Sequence, residues 1–174
     1  SGFAHAGIFL KEGRDHHIHH NVIHHCQYNG LGYGVCLDRA SALIEYNAFN
    51  WNRHSIAGTG RPRCSYVARH NVEMGVSLSH CFDMHGGRDR GDDTVIAGTV
   101  IEIYNNTFRA SETAIKIRGV PQEKGEIYQN WFVKRGSPDS AVRSVRSRRE
   151  VPASENKGIT IGDNAYGRKP DTAP

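Results

Sequence analysis

Short stretches in which apolar and polar residues alternate occur along the whole chain, and one of them recurs six times. Each copy contains an asparagine, and five of the six copies carry isoleucine three positions before it. The copies are residues 18–23, 44–49, 68–73, 103–108, 127–132 and 161–166. A period of two is typical of β-strands, and no segment shows a sustained helical period. The sequence therefore predicts an all-β fold.

The spacing of the copies predicts how the strands are arranged. The asparagines stand at positions 21, 47, 71, 106, 130 and 164, so they follow one another after 26, 24, 35, 24 and 34 residues. The base period is near 24, and the two longer intervals predict loops inserted at residues 86–98 and 134–158. The pattern predicts a right-handed, single-stranded parallel β-helix, a solenoid of about six coils that forms one domain over residues 1–174. Residues 1–13 fit an incomplete first coil.

Each coil is predicted to contain a second strand after the asparagine motif. These strands are residues 35–37, 55–57, 82–85, 115–118 and 141–143. If they stack about 4.8 Å apart in a parallel sheet, alternation turns one set of side chains into the core. This inward set is Val35, Leu37, Ile56, Phe82, Met84, Ile115 and Ile117. The repeated isoleucines are predicted to form an internal ladder, and the six asparagines to form an amide ladder at the bend.

Composition and charge narrow the classes of function. Hydrophobic residues make up 37% of the chain, which a solenoid tolerates because every coil adds to one thin continuous core. No apolar run is long enough for a membrane span. The net charge of +4 favours an anionic partner, such as an acidic polysaccharide. Nucleic acid is not favoured, because no aromatic residues lie among the arginines of the basic stretch 140–150.

The cysteines and the first residues bear on the cellular compartment. The chain has four cysteines: Cys26, Cys36, Cys64 and Cys81. Their spacing matches neither Cys-x-x-Cys nor a zinc ribbon, so packed or free thiols are expected, and one bridge between Cys64 and Cys81 stays open. No signal peptide is recognised at the N-terminus. This fits either a leader that has been removed or a chain that is a piece of a longer solenoid.

Over about residues 14–166, the repeated motif resembles the right-handed parallel β-helix repeats of the pectate-lyase-like superfamily. The resemblance implies a fold that is shared by many carbohydrate-active proteins. It is specific for the fold and poorly specific for function, because lyases, hydrolases, epimerases, phage tail spikes and plain surface proteins share these repeats.

The strongest candidate for a functional site is the segment 80–90. Asp83 and His85 are predicted to project outward from one of its strands, and we assign both to a catalytic group. The next coil supplies Lys116 and Arg118 in matching positions. Two earlier coils and the 86–98 loop supply further polar residues: Arg53, His54, Asp38 and Arg88. Such a face could bind an acidic sugar.

The resemblance implies roles for these residues. In the resembled lyases, cations or bound calcium neutralise a uronate carboxylate, a basic side chain removes the α-proton, and a second group protonates the leaving oxygen. Carried over by position, this implies His85 or Lys116 as the base. It implies Arg118 as the uronate clamp and His54 or Tyr66 as the proton donor. The remaining substrate contacts are assigned to Arg53, Asp38 and Arg88.

Whether the protein uses a cofactor stays open at this point. The candidate is a divalent metal, either calcium or a histidine-bound transition metal. The outer face lacks the dense carboxylates of the calcium-dependent members of the superfamily. Six histidines occur within ten residues near the N-terminus, and His17 and His19 with Glu45 from the next coil form a candidate metal site. His20 and His70 precede ladder asparagines at equivalent positions, so we interpret them as packing residues.

Two alternatives to a lyase follow from the same residues. A glycoside hydrolase needs two carboxylates about 5 to 9.5 Å apart, and Asp38 and Asp83 are predicted to lie roughly 10 Å apart, so elimination is favoured over hydrolysis. The non-enzyme alternative is a glycan-binding or structural segment of an extracellular or phage-associated protein. Either reading predicts an extracellular or cell-surface location. The substrate and the oligomeric state stay open.

Overall fold

Three largely parallel β-sheets stack the repeats of the chain into a solenoid-like array. The computed structural model describes residues 2–146 and 149–167. Sheet A contains, in spatial order, β1 (Ala6–Leu10), β4 (Tyr33–Leu37), β7 (His54–Gly58), β10 (Phe82–Met84), β13 (Ile115–Ile117), β16 (Val142–Arg146) and β17 (Arg149–Pro152). Sheet B contains β2 (Gly13–His19), β5 (Ala40–Glu45), β8 (Ser65–Arg69), β11 (Val100–Tyr104), β14 (Lys124–Tyr128) and β18 (Thr160–Gly162). Sheet C contains β3 (Val22–His24), β6 (Ala48–Asn50), β9 (Val72–Glu73), β12 (Thr107–Phe108), β15 (Trp131–Phe132) and β19 (Ala165–Tyr166).

The two long intervals of the repeat hold the helical segments. Residues 86–98 contain α1 (Gly87–Arg90). Residues 134–158 contain α2 (Pro138–Ala141) and a 3₁₀ turn (Ala153–Glu155), but they also contain β16, which continues sheet A in parallel, and β17, which folds back on β16 antiparallel. In the described ranges, none of the helices has the length and apolarity needed to cross a bilayer.

The predicted core positions are confirmed. All seven residues of the inward set on sheet A are fully buried. On sheet B, Ile18, Ile44, Ala68, Ile103, Ile127 and Ile161 are paired in one continuous register. Ala68 thus occupies the isoleucine position of its repeat. Each repeat therefore contributes one small apolar layer to a shared core, as the modest hydrophobic content requires.

The asparagine ladder is also confirmed. The side-chain amide of each of the first five asparagines donates to the side-chain oxygen of the next ladder asparagine, with N···O distances of 3.0 to 3.1 Å. The same oxygen accepts the backbone N–H of the preceding ladder asparagine, as in the bond from the Asn47 N–H to Asn71 Oδ1 at 3.0 Å. The amide also bonds backbone carbonyls, so the ladder satisfies polar groups at a buried bend.

The residue before every ladder asparagine adopts the left-handed conformation, with φ between 52° and 54°. These residues are His20, Tyr46, His70, Asn105, Gln129 and Asp163. The bend explains the equivalent positions of His20 and His70, whose rings stack on either side of Tyr46 with ring centroids 5.2 and 5.0 Å away.

Gln129 offers a test of this bend, because asparagine tolerates the left-handed region better than glutamine does. We expect Gln129→Asn to raise the free energy of unfolding by up to about 1 kcal/mol, which corresponds to roughly 2–4 °C in Tm. The reciprocal change Asn105→Gln at the equivalent bend is the control and should lower Tm. Shifts of the same sign for both variants in thermal unfolding would contradict this account.

Sheet C contributes aromatic side chains to the core. Phe108 stacks on Phe132, and Phe132 stacks on Tyr166, with centroids 5.1 and 5.3 Å apart. Glu73 occupies the same column, paired with Phe49 on one side and Phe108 on the other. A carboxyl group is therefore enclosed in an otherwise aromatic layer.

All four cysteines are buried and carry free thiols. This confirms the expectation of packed thiols and leaves the bridge between Cys64 and Cys81 unformed.

Candidate functional site

The outer face of sheet A changes from apolar to charged along its length. At one level of the sheet the paired residues are, in order, Cys36, Ala57, Asp83, Lys116 and Arg143. Cys36 and Ala57 form a small apolar cluster with Tyr33, separate from the main core. Asp83 is the first charged residue in this row. It is nevertheless fully buried, because the side chains of neighbouring residues cover it.

Four side-chain contacts cover the Asp83 carboxylate. Arg118 binds it in a bidentate manner, with Nε 3.0 Å from Oδ1 and Nη2 2.9 Å from Oδ2. His80 Nε2 lies 3.1 Å from Oδ1, and His85 Nε2 lies 2.9 Å from Oδ2. The last contact is close, but its angle is poor for a hydrogen bond, and His85 Nε2 has no well-aligned partner among the described residues.

Asp83 is ionised in this setting. Burial alone would raise the pKa of its carboxyl group, but the adjoining His80 and His85 imidazoles outweigh burial and hold that pKa well below its usual range. The permanently charged Arg118 acts in the same direction through its two hydrogen bonds. The site therefore contains a buried carboxylate paired with a guanidinium.

His54 and His80 stack beside Asp83, with ring centroids 4.0 Å apart. His54 is fully buried, and its Nδ1 lies 2.7 Å from the backbone oxygen of His80. Burial lowers the pKa of His54 to about 3, although Asp83 acts in the opposite direction. Burial also lowers the pKa of His80. Both rings are therefore neutral at neutral pH.

His80 was not among the residues predicted from the sequence, although one signal for it was present. His80 lies 26 residues after His54, close to the base period of the repeat. Ile56 and Phe82 each follow one of these histidines by two residues, and they are paired on neighbouring strands. The period therefore places the two imidazoles side by side.

A shallow cleft of about 170 Å³ opens on the same face, next to His85. Its lining combines rings with polar groups and includes His5, Phe9, Tyr33, Asp38, Thr59 and His85. Arg53 stands at the rim, with its guanidinium carbon 5.9 Å from the centroid of the Tyr33 ring. The structure thus places two predicted site residues, Asp38 and His85, in one cleft, with Arg53 beside it.

Several of the predicted residues are already bonded to neighbouring side chains. Lys116 pairs with Glu150 of β17. Arg118 contacts Asp89 as well as Asp83, with Nη1 3.1 Å from Asp89 Oδ1. Asp38 accepts from Arg61 and from the Thr59 hydroxyl, at 3.1 and 2.9 Å. Arg88 lies in α1.

Tyr66, one of the two implied proton donors, lies on the core side of the sheets. It is 1% exposed, and its hydroxyl donates to the backbone oxygen of Asp83 at 3.3 Å. Burial raises the pKa of this hydroxyl well above its usual value. Tyr66 therefore supports the Asp83 strand from inside and does not face the outer surface.

The candidate metal ligands near the N-terminus, His17, His19 and Glu45, are not among the described groups of three whose ligand atoms all lie within 4.8 Å of one another. Glu45 contacts His17 Nε2 through one oxygen, at 2.7 Å, and Arg69 Nε through the other, at 2.6 Å. His19 lies between His17 and His20: its ring centroid is 4.2 Å from that of His17, and its Nδ1 is 2.9 Å from His20 Nδ1. Glu45 is thus already neutralised by an arginine.

A different set of ligand-type side chains does converge. In the part of the chain that the structure describes, the one group of three whose ligand atoms all lie within 4.8 Å of one another is His54, His80 and Asp83. Calcium does not fit this donor set, because it takes six to eight oxygen ligands.

A scan against protein-family models, a search of curated proteins and a search of solved structures each found no match to this chain. The site is therefore interpreted from its own geometry, on a solenoid-like all-β scaffold of parallel sheets.

Proposed function

We propose that the chain is a right-handed β-helix of about six coils, of the pectate-lyase-like kind, and that it cleaves an acidic glycan by β-elimination on the outer face of sheet A. The parallel stacking of the three sheets and the asparagine ladder support the fold. The net charge of +4 supports an anionic substrate. An extracellular or cell-surface location, where such polysaccharides occur, is part of the same proposal.

The observation that carries this proposal is the placement of His85 against buried Asp83 at the edge of the cleft. The side chain of His85 is 25% exposed, whereas Asp83 is fully buried. A buried carboxylate next to one ring nitrogen orients an imidazole and stabilises the imidazolium that forms when the other nitrogen takes a proton. Nδ1 is then the atom of His85 that acts on a substrate in the cleft.

The cleft supplies the two contacts that a uronate residue requires. The exposed ring of Phe9 offers an apolar surface for one face of the sugar. Arg53 stands over Tyr33, and although its Nη1 donates to the Gly30 carbonyl at 3.3 Å, its guanidinium can pair with the uronate carboxylate. Arg53 serves as the clamp in this proposal because the Arg118 guanidinium is already bonded to Asp83 and Asp89.

The elimination then needs one group that first accepts and later donates a proton. His85 Nδ1 takes the proton α to the carboxylate, and the electron pair of that C–H bond forms a carbon–carbon double bond as the bond to the β-oxygen breaks. The imidazolium of His85 then returns the proton to the leaving oxygen. His54 and Tyr66 are buried and do not line the cleft.

We expect His85→Ala to lower the elimination rate by about 10²- to 10⁴-fold, the usual contribution of general acid–base catalysis. The measurement is the ultraviolet absorbance of unsaturated uronate ends, on a panel of pectate, alginate and glycosaminoglycans, with and without calcium. The matched control is His19→Ala, which removes an exposed histidine on sheet B and should retain full activity. Absence of the signal with every substrate would overturn the lyase proposal.

The second candidate is glycan binding without turnover. The observation that favours it is the neutralisation of the cations near Asp83, because Arg118 is shared between two carboxylates and Lys116 is paired with Glu150. An enolate-like intermediate needs uncompensated positive charge beside it. In this case, wild type binds an immobilised acidic polysaccharide without releasing product, and Arg53→Ala loses that binding.

A further inference from the structure

In the cluster of His54, His80 and Asp83, one imidazole nitrogen has no hydrogen-bond partner among the described residues. The His80 carbonyl can only accept a hydrogen bond, so His54 Nδ1 carries the hydrogen in their 2.7 Å contact. His54 Nε2 therefore keeps a lone pair, and this atom is buried without a hydrogen-bond partner among the described residues. A buried polar atom without a partner costs about 1–3 kcal/mol. Such an atom in a native protein calls for an explanation, and an absent ion is one of the usual ones.

His80 is oriented in the same way. Its Nδ1 lies 3.2 Å from the Ser79 hydroxyl, so its Nε2 faces the Asp83 carboxylate and the Arg118 guanidinium, both at 3.1 Å. Both imidazoles thus have Nδ1 engaged by a protein oxygen, and each ring offers a ligand atom within 4.8 Å of the Asp83 carboxylate. This arrangement, in which the second nitrogen of each ring is held by a hydrogen bond, is characteristic of histidines that ligate metals.

We propose that His54, His80 and Asp83 form a binding site for a divalent transition-metal ion with the preferences of Zn²⁺. The three ligand atoms lie within 4.8 Å of one another, and metal–ligand bonds of about 2.0–2.2 Å require that the side chains draw closer and that Arg118 leaves the space between them. Two imidazoles and one carboxylate favour Zn²⁺ and related ions over Ca²⁺ or Mg²⁺. The site goes beyond the proposed elimination and does not depend on it.

Arg118 is the competitor of such an ion. Its Nη2 atom lies 2.9 Å from Asp83 Oδ2 and 3.1 Å from His80 Nε2, so it occupies part of the space between two of the ligands. Its Nη1 atom also contacts Asp89 at 3.1 Å, which gives the guanidinium a second carboxylate to pair with when it withdraws. The ion and the Arg118–Asp83 pair are therefore alternative occupants of the cluster.

Zn²⁺ titration of the full chain, followed by calorimetry and by the Tm, tests the site without any glycan. The first variant is His80→Gln, which removes one ligand with little change in volume, and Asp83→Asn serves in its place if that variant does not fold by circular dichroism. The adjacent imidazoles of His24 and His25, with Nδ1 atoms 2.7 Å apart, offer Zn²⁺ a competing pair of ligands away from the cluster, so His24→Gln/His25→Gln is the matched control. We expect one site to lose at least tenfold in affinity in His80→Gln and to persist unchanged in the control.

Arg118→Met gives the opposite expectation, because it removes the competitor and keeps all three ligands. We expect this variant to bind Zn²⁺ at least tenfold more tightly than wild type and to gain more in Tm when the ion is added. Equal Zn²⁺ binding by wild type and the ligand variant, or loss of all binding in the control, overturns the proposal. Weaker binding by Arg118→Met also overturns it. A failed elimination assay leaves these results unaffected, since no substrate is present.

Discussion

Asn71→Ala is expected to lower the free energy of unfolding by about 3–5 kcal/mol, because several buried polar groups lose their partners together. The Asn71 amide donates to the Ile44 carbonyl and to Asn106 Oδ1, at 2.8 and 3.0 Å. Its oxygen accepts from the backbone and side-chain nitrogens of Asn47, at 3.0 and 3.1 Å. Asn71 is 1% exposed, so water does not easily replace these bonds.

Denaturant unfolding of Asn71→Ala and Asn164→Ala measures this effect. Asn164 is the last asparagine of the described ladder and is half-buried. Its oxygen accepts from the backbone and side-chain nitrogens of Asn130, at 2.9 and 3.0 Å, but among the described residues its amide donates only to the Ile127 carbonyl, at 3.0 Å. Asn164→Ala should therefore lower the free energy of unfolding clearly less than Asn71→Ala does. Similar losses for the two variants would mean that the ladder does not derive its strength from buried, mutually bonded amides.

The ladder was predictable because it is periodic. When one residue type returns about every 24 residues, its copies are expected to occupy equivalent structural positions. Alternation along the strands then assigned residues such as Ile56 and Met84 to the core. Tyr66 could have been placed by the same rule, since it lies two residues before inward-facing Ala68 and therefore shares its side of the strand.

The candidate site was predictable only in part. Alternation identified the face of Asp83 correctly, but it could not show that Arg118 and two imidazoles would bury the carboxylate completely. The pairing of Lys116 with Glu150 depends on β17, which folds back after an insertion and follows no repeat. Contacts made by a segment outside the period leave no periodic signal in the sequence.

Glu73 is expected to make the stability of the protein depend strongly on pH. Its side chain lies in the aromatic layer of sheet C, and its Oε1 has no partner among the described residues. Burial raises the pKa of Glu73 to about 8, although the hydrogen bond from Ser55 to Oε2 at 2.5 Å acts in the opposite direction. The carboxyl group is therefore mainly protonated at neutral pH, while in the unfolded chain it ionises near its ordinary pKa of about 4.3.

The sign of the pH dependence follows from this difference. Because the folded pKa lies above the unfolded one, the contribution of neutral Glu73 is fully present below about pH 4 and is lost as the pH rises through about 8. At about 1.4 kcal/mol per pKa unit, the loss amounts to roughly 4–5 kcal/mol. His54, with its lowered pKa, destabilises the fold as the pH falls below about 6.5. This contribution is common to wild type and Glu73 variants.

Glu73→Gln isolates the effect, because it keeps an acceptor for Ser55 and cannot ionise. Urea midpoints of wild type and Glu73→Gln, measured from pH 5 to pH 9, should diverge progressively, with wild type losing stability relative to the variant as the pH rises. Glu123→Gln removes an exposed carboxylate and is the control for the change in net charge, so its curve should run parallel to that of wild type. If Glu73→Gln also runs parallel to wild type, Glu73 is ionised in the folded core, and the aromatic layer must supply a partner that its present contacts do not include.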